Sequence, residues 1–198
     1  MGSTRPHRKL VKHYHQAGDL HELTFSCYRR LPLLTNDSWR QRLAGCIDAA
    51  GQQTAIELVA FVFMPKHVHL LVVPCSSDPE IDRYLALVKQ PSSKWIKEQL
   101  VNTKSALVDR LTVQERPGKT CFRFWQEGPG YDRNLNTPAA IEAAIDYIHQ
   151  NPVRRGLVKR AVDWKWSSAS WYSLDPPRQQ LMDRPYVHGL PAGALDQS

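Results

Sequence analysis

The chain has 198 residues, 42% hydrophobic and 23% charged, which suits one globular domain able to bury a core without disulfides and excludes a disordered polymer. Against 19 Asp and Glu stand 26 Lys and Arg, and this net charge of +7 suits a polyanionic partner such as a nucleic acid. Cys27, Cys46, Cys75 and Cys121 form no Cys-x-x-Cys pair and read as reduced thiols, which excludes a zinc knuckle or a disulfide frame. The polar N-terminus has no signal-peptide pattern, and no apolar run nears the ~20 residues of a membrane helix; the expectation is a cytoplasmic protein with no membrane partner.

Residues 1–18 form a basic arm with Arg5, Arg8, Lys9 and Lys12, and its His13-Tyr14-His15 triplet lacks a strand pattern around it. A first strand is expected over 20–28, followed by Arg29 and Arg30. Asn36, Asp37 and Ser38 cap a helix over 37–50, with Trp39, Leu43, Ile47 and Ala50 on one face and Gly51 as its stop. Strands over 54–63 and 67–73 are joined only by Met64-Pro65-Lys66, which predicts an antiparallel hairpin. A helix over 80–101 follows, broken or kinked at Pro91 and carrying Lys89, Lys94 and Lys97.

Residues 102–120 are polar and show no clear period, 122–126 read as the last strand, and 127–133 as a Gly-Pro loop. Thr137-Pro138 opens a helix expected to end at Gln150, because Asn151 precedes Pro152. An aromatic short helix lies within 164–172, and a mobile tail is expected from 174. The order βαββαβ implies an α+β fold: a ferredoxin-like antiparallel sheet with helices on one face plus additional C-terminal helices. The domain then covers 19–173, between the arm (1–18) and the tail (174–198). The tryptophans, Trp39, Trp95, Trp125, Trp164, Trp166 and Trp171, read mostly as core or subunit surface.

Two side chains separated by one residue on a strand share a face, so His67 and His69 point the same way. Such a pair is either half of a metal site or two polar neighbours beside the core. Tyr147 and Asn151 are one helical turn apart, with Gln150 on nearly the same side. A tyrosine hydroxyl, with a free pKa of about 10, becomes a nucleophile only when activated. Packed half-buried on the sheet, Tyr147 would be structural only.

Met64-Pro-Lys-His-Val-His-Leu-Leu-Val resembles the HUH motif (His, hydrophobic, His) of single-tyrosine HUH transposases. Tyr147-Ile-His-Gln-Asn-Pro-Val-Arg-Arg-Gly-Leu-Val158 resembles their tyrosine helix and the segment after it. With Phe124-Trp-Gln126, Tyr131-Asp-Arg133 and Trp164-Lys-Trp-Ser-Ser168, the combination is most similar to the REP-associated tyrosine transposases.

This resemblance implies that His67 and His69 bind Mg²⁺ or Mn²⁺, with Asn151 as third ligand in register and Gln150 as the reserve. It implies that Tyr147 cuts single-stranded or hairpin DNA through a 5′-phosphotyrosine link, leaving a 3′-hydroxyl that can rejoin strands. Lys66, Arg29, Arg30, Lys94, Arg133, Arg154 and Arg155 are the candidate DNA-binding residues. Related transposases can pair two subunits, so that each active site takes its histidines from one chain and its tyrosine from the other, and the sequence leaves monomer and homodimer open. The alternative is a non-catalytic nucleic-acid-binding ferredoxin-like module, although the His-x-His strand stands where an RNA-recognition sheet would carry aromatic residues.

Overall fold

The computed structural model describes residues 19–128, 130–174, 180 and 182–196; the basic arm, with His13 and His15, lies outside the described residues. In chain order the elements are β1 (Leu20–Ser26), α1 (Asp37–Thr54), β2 (Ile56–Phe63), β3 (His67–Pro74), α2 (Ile81–Asn102), α3 (Leu107–Leu111), β4 (Thr112–Arg116), β5 (Lys119–Phe122), β6 (Tyr131–Leu135), α4 (Pro138–Arg154) and α5 (Ala169–Tyr172). One antiparallel sheet has the order β2-β3-β1-β6, and β4 and β5 form a separate hairpin. The expected βαββαβ architecture is present.

Strand alternation sorts the core into two layers. Leu23, Phe25, Phe61, Phe63, Val68, Leu70 and Val72 pack under α1 and α2 with Leu43, Ile47, Leu85 and Val88. Leu20, Ala60, Val62, Leu71 and Val73 point the other way and are covered by Ile141, Ala144 and Ile148 of α4. The two helices of the βαββαβ unit thus share one face, and the additional helix α4 closes the opposite one.

Several boundaries differ from the sequence reading. The last strand of the sheet is β6, inside the stretch read partly as a Gly-Pro loop, while 122–126 mostly leaves regular structure after β5. There the chain approaches β1 through the Cys27–Trp125 bridge, the Gln126 N–H to Ser26 carbonyl bond of 2.8 Å and the Trp125 ring against Phe25, before β6 begins. α1 continues through Gly51 to Thr54, and α2 runs through Pro91 without ending. α4 runs through Pro152 to Arg154, so Asn151 lies inside the helix and not at its stop.

Burial of Asn151 and Pro152 outweighs the local preference against a helix before proline. The true end of α4 is closed by Gly156 N–H to the Val153 carbonyl (2.9 Å) and Leu157 N–H to the Pro152 carbonyl (2.9 Å), a Schellman arrangement. The outer edge of β2 is also occupied. Phe63 N–H donates to Trp166, Ser168 N–H to Phe61, and His188 N–H to Leu58. Val187, 1% exposed, enters the core, so part of the segment expected to be a mobile tail is docked. Trp125, Trp166 and Trp171 are buried and the other three tryptophans pack against the core, in line with their structural reading.

Candidate active site

His67 and His69 open β3 on its α4-facing side, beside Thr24 and Ser26 of β1. Their rings lie 4.7 Å apart, centroid to centroid and nearly perpendicular. The Tyr147 ring stands 5.3 Å from that of His69, again edge to face, and the residue is 38% exposed. On the next turn of α4, Asn151 is only 3% exposed and its Nδ2 lies 3.2 Å from His69 Nε2. Thr24 Oγ1 lies 2.8 Å from the other ring nitrogen, Nδ1. The strand pair and the tyrosine helix, 80 residues apart in sequence, therefore meet within one chain.

A cavity of about 550 Å³ opens here, lined by Thr24, Ser26, Arg30, Lys66, His67, His69, Tyr147 and Arg155 among others. Burial, then the charges of Arg155 and Arg30, lowers the pKa of His67 to about 4. His69 is lowered to about 3 by burial, His67 and Arg155. Both imidazoles are thus neutral near pH 7, the form that can ligate a metal. Among the described residues no three His, Cys, Asp or Glu side chains cluster, so the available donors are two imidazoles and an amide. Asn151 Oδ1 is buried without a hydrogen-bond partner among the described residues. An unsatisfied buried acceptor costs about 1–3 kcal/mol, and a cation beside it would meet that need. The donor set fits a divalent ion.

Tyr147 divides this cavity from a second of about 470 Å³, which shares Thr24 and His69 and adds Glu22, Tyr131 and Arg133. Arg133 Nη2 lies 3.4 Å from Glu22 Oε2, and burial raises the Glu22 carboxyl above its usual range despite that neighbour. A larger cavity of about 670 Å³ lies against α1 and β2 and includes Asp48 and His188, but Asp48 is engaged by the Tyr186 N–H at 2.8 Å and no histidine pair lines it.

The expected basic residues separate into groups. Lys66, Arg30 and Arg155 line the first cavity, and Arg133 lines the second. The Arg154 guanidinium lies 5.3 Å over the Tyr147 ring and is 3.3 Å from Asp146. Arg29 sits on the turn after β1, its N–H donating to Gln126 Oε1 and its guanidinium over the Tyr28 ring. Lys94 is on α2, across the sheet, in a separate groove with Lys97 and Phe122. Neither Gln150 nor Asn151 lines the two cavities beside Tyr147; Asn151 reaches the site through its contact with His69. Thr24, Ser26 and Glu22 were missed by the sequence reading, yet the polar residues alternating through Leu20–Ser26 carried the signal.

Comparison with known proteins places the family. The family model described as "Transposase IS200 like" matches residues 18–116, half of the chain, including His67 and His69 but ending before Tyr147. A Haemophilus influenzae protein described as a REP-associated tyrosine transposase is 28% identical over 112 residues, 57% of this chain. That match spans 58% of the relative's own length. Among solved structures, a REP-associated tyrosine transposase bound to a REP hairpin superposes with a TM-score of 0.60, covering 96% of this chain and 97% of that one at 19% identity, a likeness of fold. The resemblance to REP-associated tyrosine transposases read from the motifs is borne out, and the chain belongs to the IS200-like transposase family.

Proposed function

We propose that this chain is a metal-dependent single-stranded DNA endonuclease and strand transferase that acts on hairpin DNA and serves DNA transposition. The observation that carries the reading is the meeting of His67, His69 and Tyr147 at one basic cavity, with Asn151 in contact with His69 behind it. The REP hairpin bound by the structural neighbour supports hairpin DNA as the ligand class.

His67, His69 and Asn151 would hold Mg²⁺ or Mn²⁺, which would supply Lewis-acid polarisation of the scissile phosphate. Tyr147 Oη attacks phosphorus, the bond to the 3′-oxygen breaks, and that oxygen leaves as a 3′-hydroxyl after taking up a proton. The tyrosine loses its own proton and becomes a 5′-phosphotyrosine. Attack by a 3′-hydroxyl reverses these changes and rejoins DNA without a nucleotide cofactor. Lys66, Arg30 and Arg155 neutralise phosphates along the cavity, which makes binding weaken as salt rises. Arg133 and Arg154 flank this path, whereas Arg29 lines neither cavity and Lys94 lies across the sheet.

The test is incubation with end-labelled single-stranded hairpin oligonucleotides and Mn²⁺ or Mg²⁺, followed by denaturing electrophoresis. A covalent protein–DNA band that requires the metal is expected. Tight hairpin binding with no covalent band under any metal would replace this reading with a non-catalytic binding module.

A further inference from the structure

We propose that Thr24 is a positioning residue for the metal site: its hydroxyl accepts the Nδ1–H of His69 and holds that ring in the tautomer whose Nε2 carries a lone pair, which a metal would take over from the Asn151 amide N–H. The proposal rests on the ligand set given above, but it concerns a proton that can be located without any metal.

The two faces of the His69 ring edge are occupied by groups of different chemistry. Asn151 Nδ2 lies 3.2 Å from Nε2, and an amide nitrogen can only donate. In this amide orientation, which turns Asn151 Oδ1 away from the ring, Nε2 accepts. A neutral imidazole carries one proton, which then sits on Nδ1, where Thr24 Oγ1 is 2.8 Å away. Thr24 Oγ1 supplies the acceptor that this Nδ1–H needs, and a valine there would leave the proton without it. In the opposite arrangement, a rotated amide would accept an Nε2–H and the ligating lone pair would be lost.

Thr24 is placed for this work by its backbone. It sits directly opposite His69 in the β1–β3 ladder and opposite Tyr131 in the β1–β6 ladder. A strand paired on both sides cannot slide, and the β-branched side chain has few rotamers. Gly130, at φ +99°, brings the loop before β6 so close that a Cβ there would collide with the Thr24 carbonyl oxygen. That approach fixes the same strand position from the other side. Ligating histidines generally donate their second ring N–H to such an acceptor, and loss of the acceptor weakens metal binding by about 10–100-fold.

The experiment uses the full-length ¹⁵N-labelled protein, with the His69 tautomer read by long-range ¹H–¹⁵N correlation near pH 7 and Mn²⁺ affinity read by titration. Wild type, Thr24→Val and Thr24→Ser are compared. The expected results are an Nδ1–H ring in wild type, loss of that tautomer preference and about tenfold or more weaker Mn²⁺ binding in Thr24→Val, and recovery of both in Thr24→Ser. A wild-type ring protonated on Nε2 overturns the proposal, as does a Thr24→Val protein with unchanged tautomer and affinity. Should Thr24→Val not fold, the wild-type tautomer and the Thr24→Ser affinity decide it. An Nδ1–H ring in a wild-type protein that binds no Mn²⁺ supports the hold of Thr24 on the ring and overturns the ligand set instead.

Discussion

Asn151 Nδ2 lies 3.2 Å from His69 Nε2, across 82 residues of sequence, and the contact exists because α4 continues through Pro152. Had the helix ended at Gln150, the one-turn spacing that brings Asn151 below Tyr147 would not be maintained. Replacing Asn151 by alanine is expected to weaken Mn²⁺ binding by at least about tenfold, on the scale of other ligand-shell losses, and to reduce covalent adduct formation accordingly. Gln150→Ala is expected to leave both unchanged. Titration with Mn²⁺ checks this pair, and the reverse ranking would transfer the ligand role to Gln150.

Acid should destabilise the fold through its buried neutral histidines. His149 is lowered to about 4, chiefly by burial, with Asp146 acting in the other direction, and its Nε2 lies 2.8 Å from Ser168 Oγ. In the unfolded chain the same group titrates near 6.5. The unfolded state therefore binds the proton first, so the stability contributed by this group is full above about pH 6.5 and is lost as pH falls towards about 4. His67 and His69, lowered to about 4 and about 3, act in the same sense. Thermal unfolding between about pH 7 and about pH 4.5 should show a falling Tm, with a shallower fall in His149→Gln. An unaltered pH slope in that variant would contradict the assignment.

Two glycines in α1 should respond oppositely to alanine. A Cβ at Gly51 would lie 2.7 Å from the Ile56 carbonyl oxygen, whereas one at Gly45 meets nothing within 4 Å. Gly45→Ala should stabilise by about 0.5–1 kcal/mol through helix preference. Gly51→Ala should instead lose about 1–3 kcal/mol, since the obstructing atom is backbone. Urea unfolding of the two variants measures both signs.

Gly51 also illustrates what the sequence leaves hidden. It resembles a helix stop because glycine often is one, but it stands there to let α1 and the start of β2 approach closely. Pro91 and Pro152 misled in the same way, since a proline is read as a boundary when burial of the surrounding turn can retain the helix. The βαββαβ order, the hairpin around Met64-Pro65-Lys66 and the common face of His67 and His69 were legible, because each follows from short-range periodicity. Thr24 was not, since its significance arises from the β1–β3 register, and β6 was obscured by the Gly and Pro residues just before it.

The C-terminal segment offers a direct check on one such correction. Val187 is buried in the main core, and the neighbouring His188 N–H donates 2.9 Å to the Leu58 carbonyl at the edge of β2. Val187→Ala should cost about 1–2 kcal/mol in chemical unfolding, as expected for a truncated core side chain. A mobile tail would give no change, and it would be trimmed rapidly by added protease.

The most direct measurement is the site of DNA attachment in the presence of Mn²⁺, read by peptide mass spectrometry of the wild-type adduct and by adduct yield in Tyr147→Phe. The expected result is a nucleotide-bearing peptide modified at Tyr147 and no adduct from Tyr147→Phe, with hairpin binding retained. Modification at any other residue, or an adduct of undiminished yield from Tyr147→Phe, would contradict the role of Tyr147 as the nucleophile.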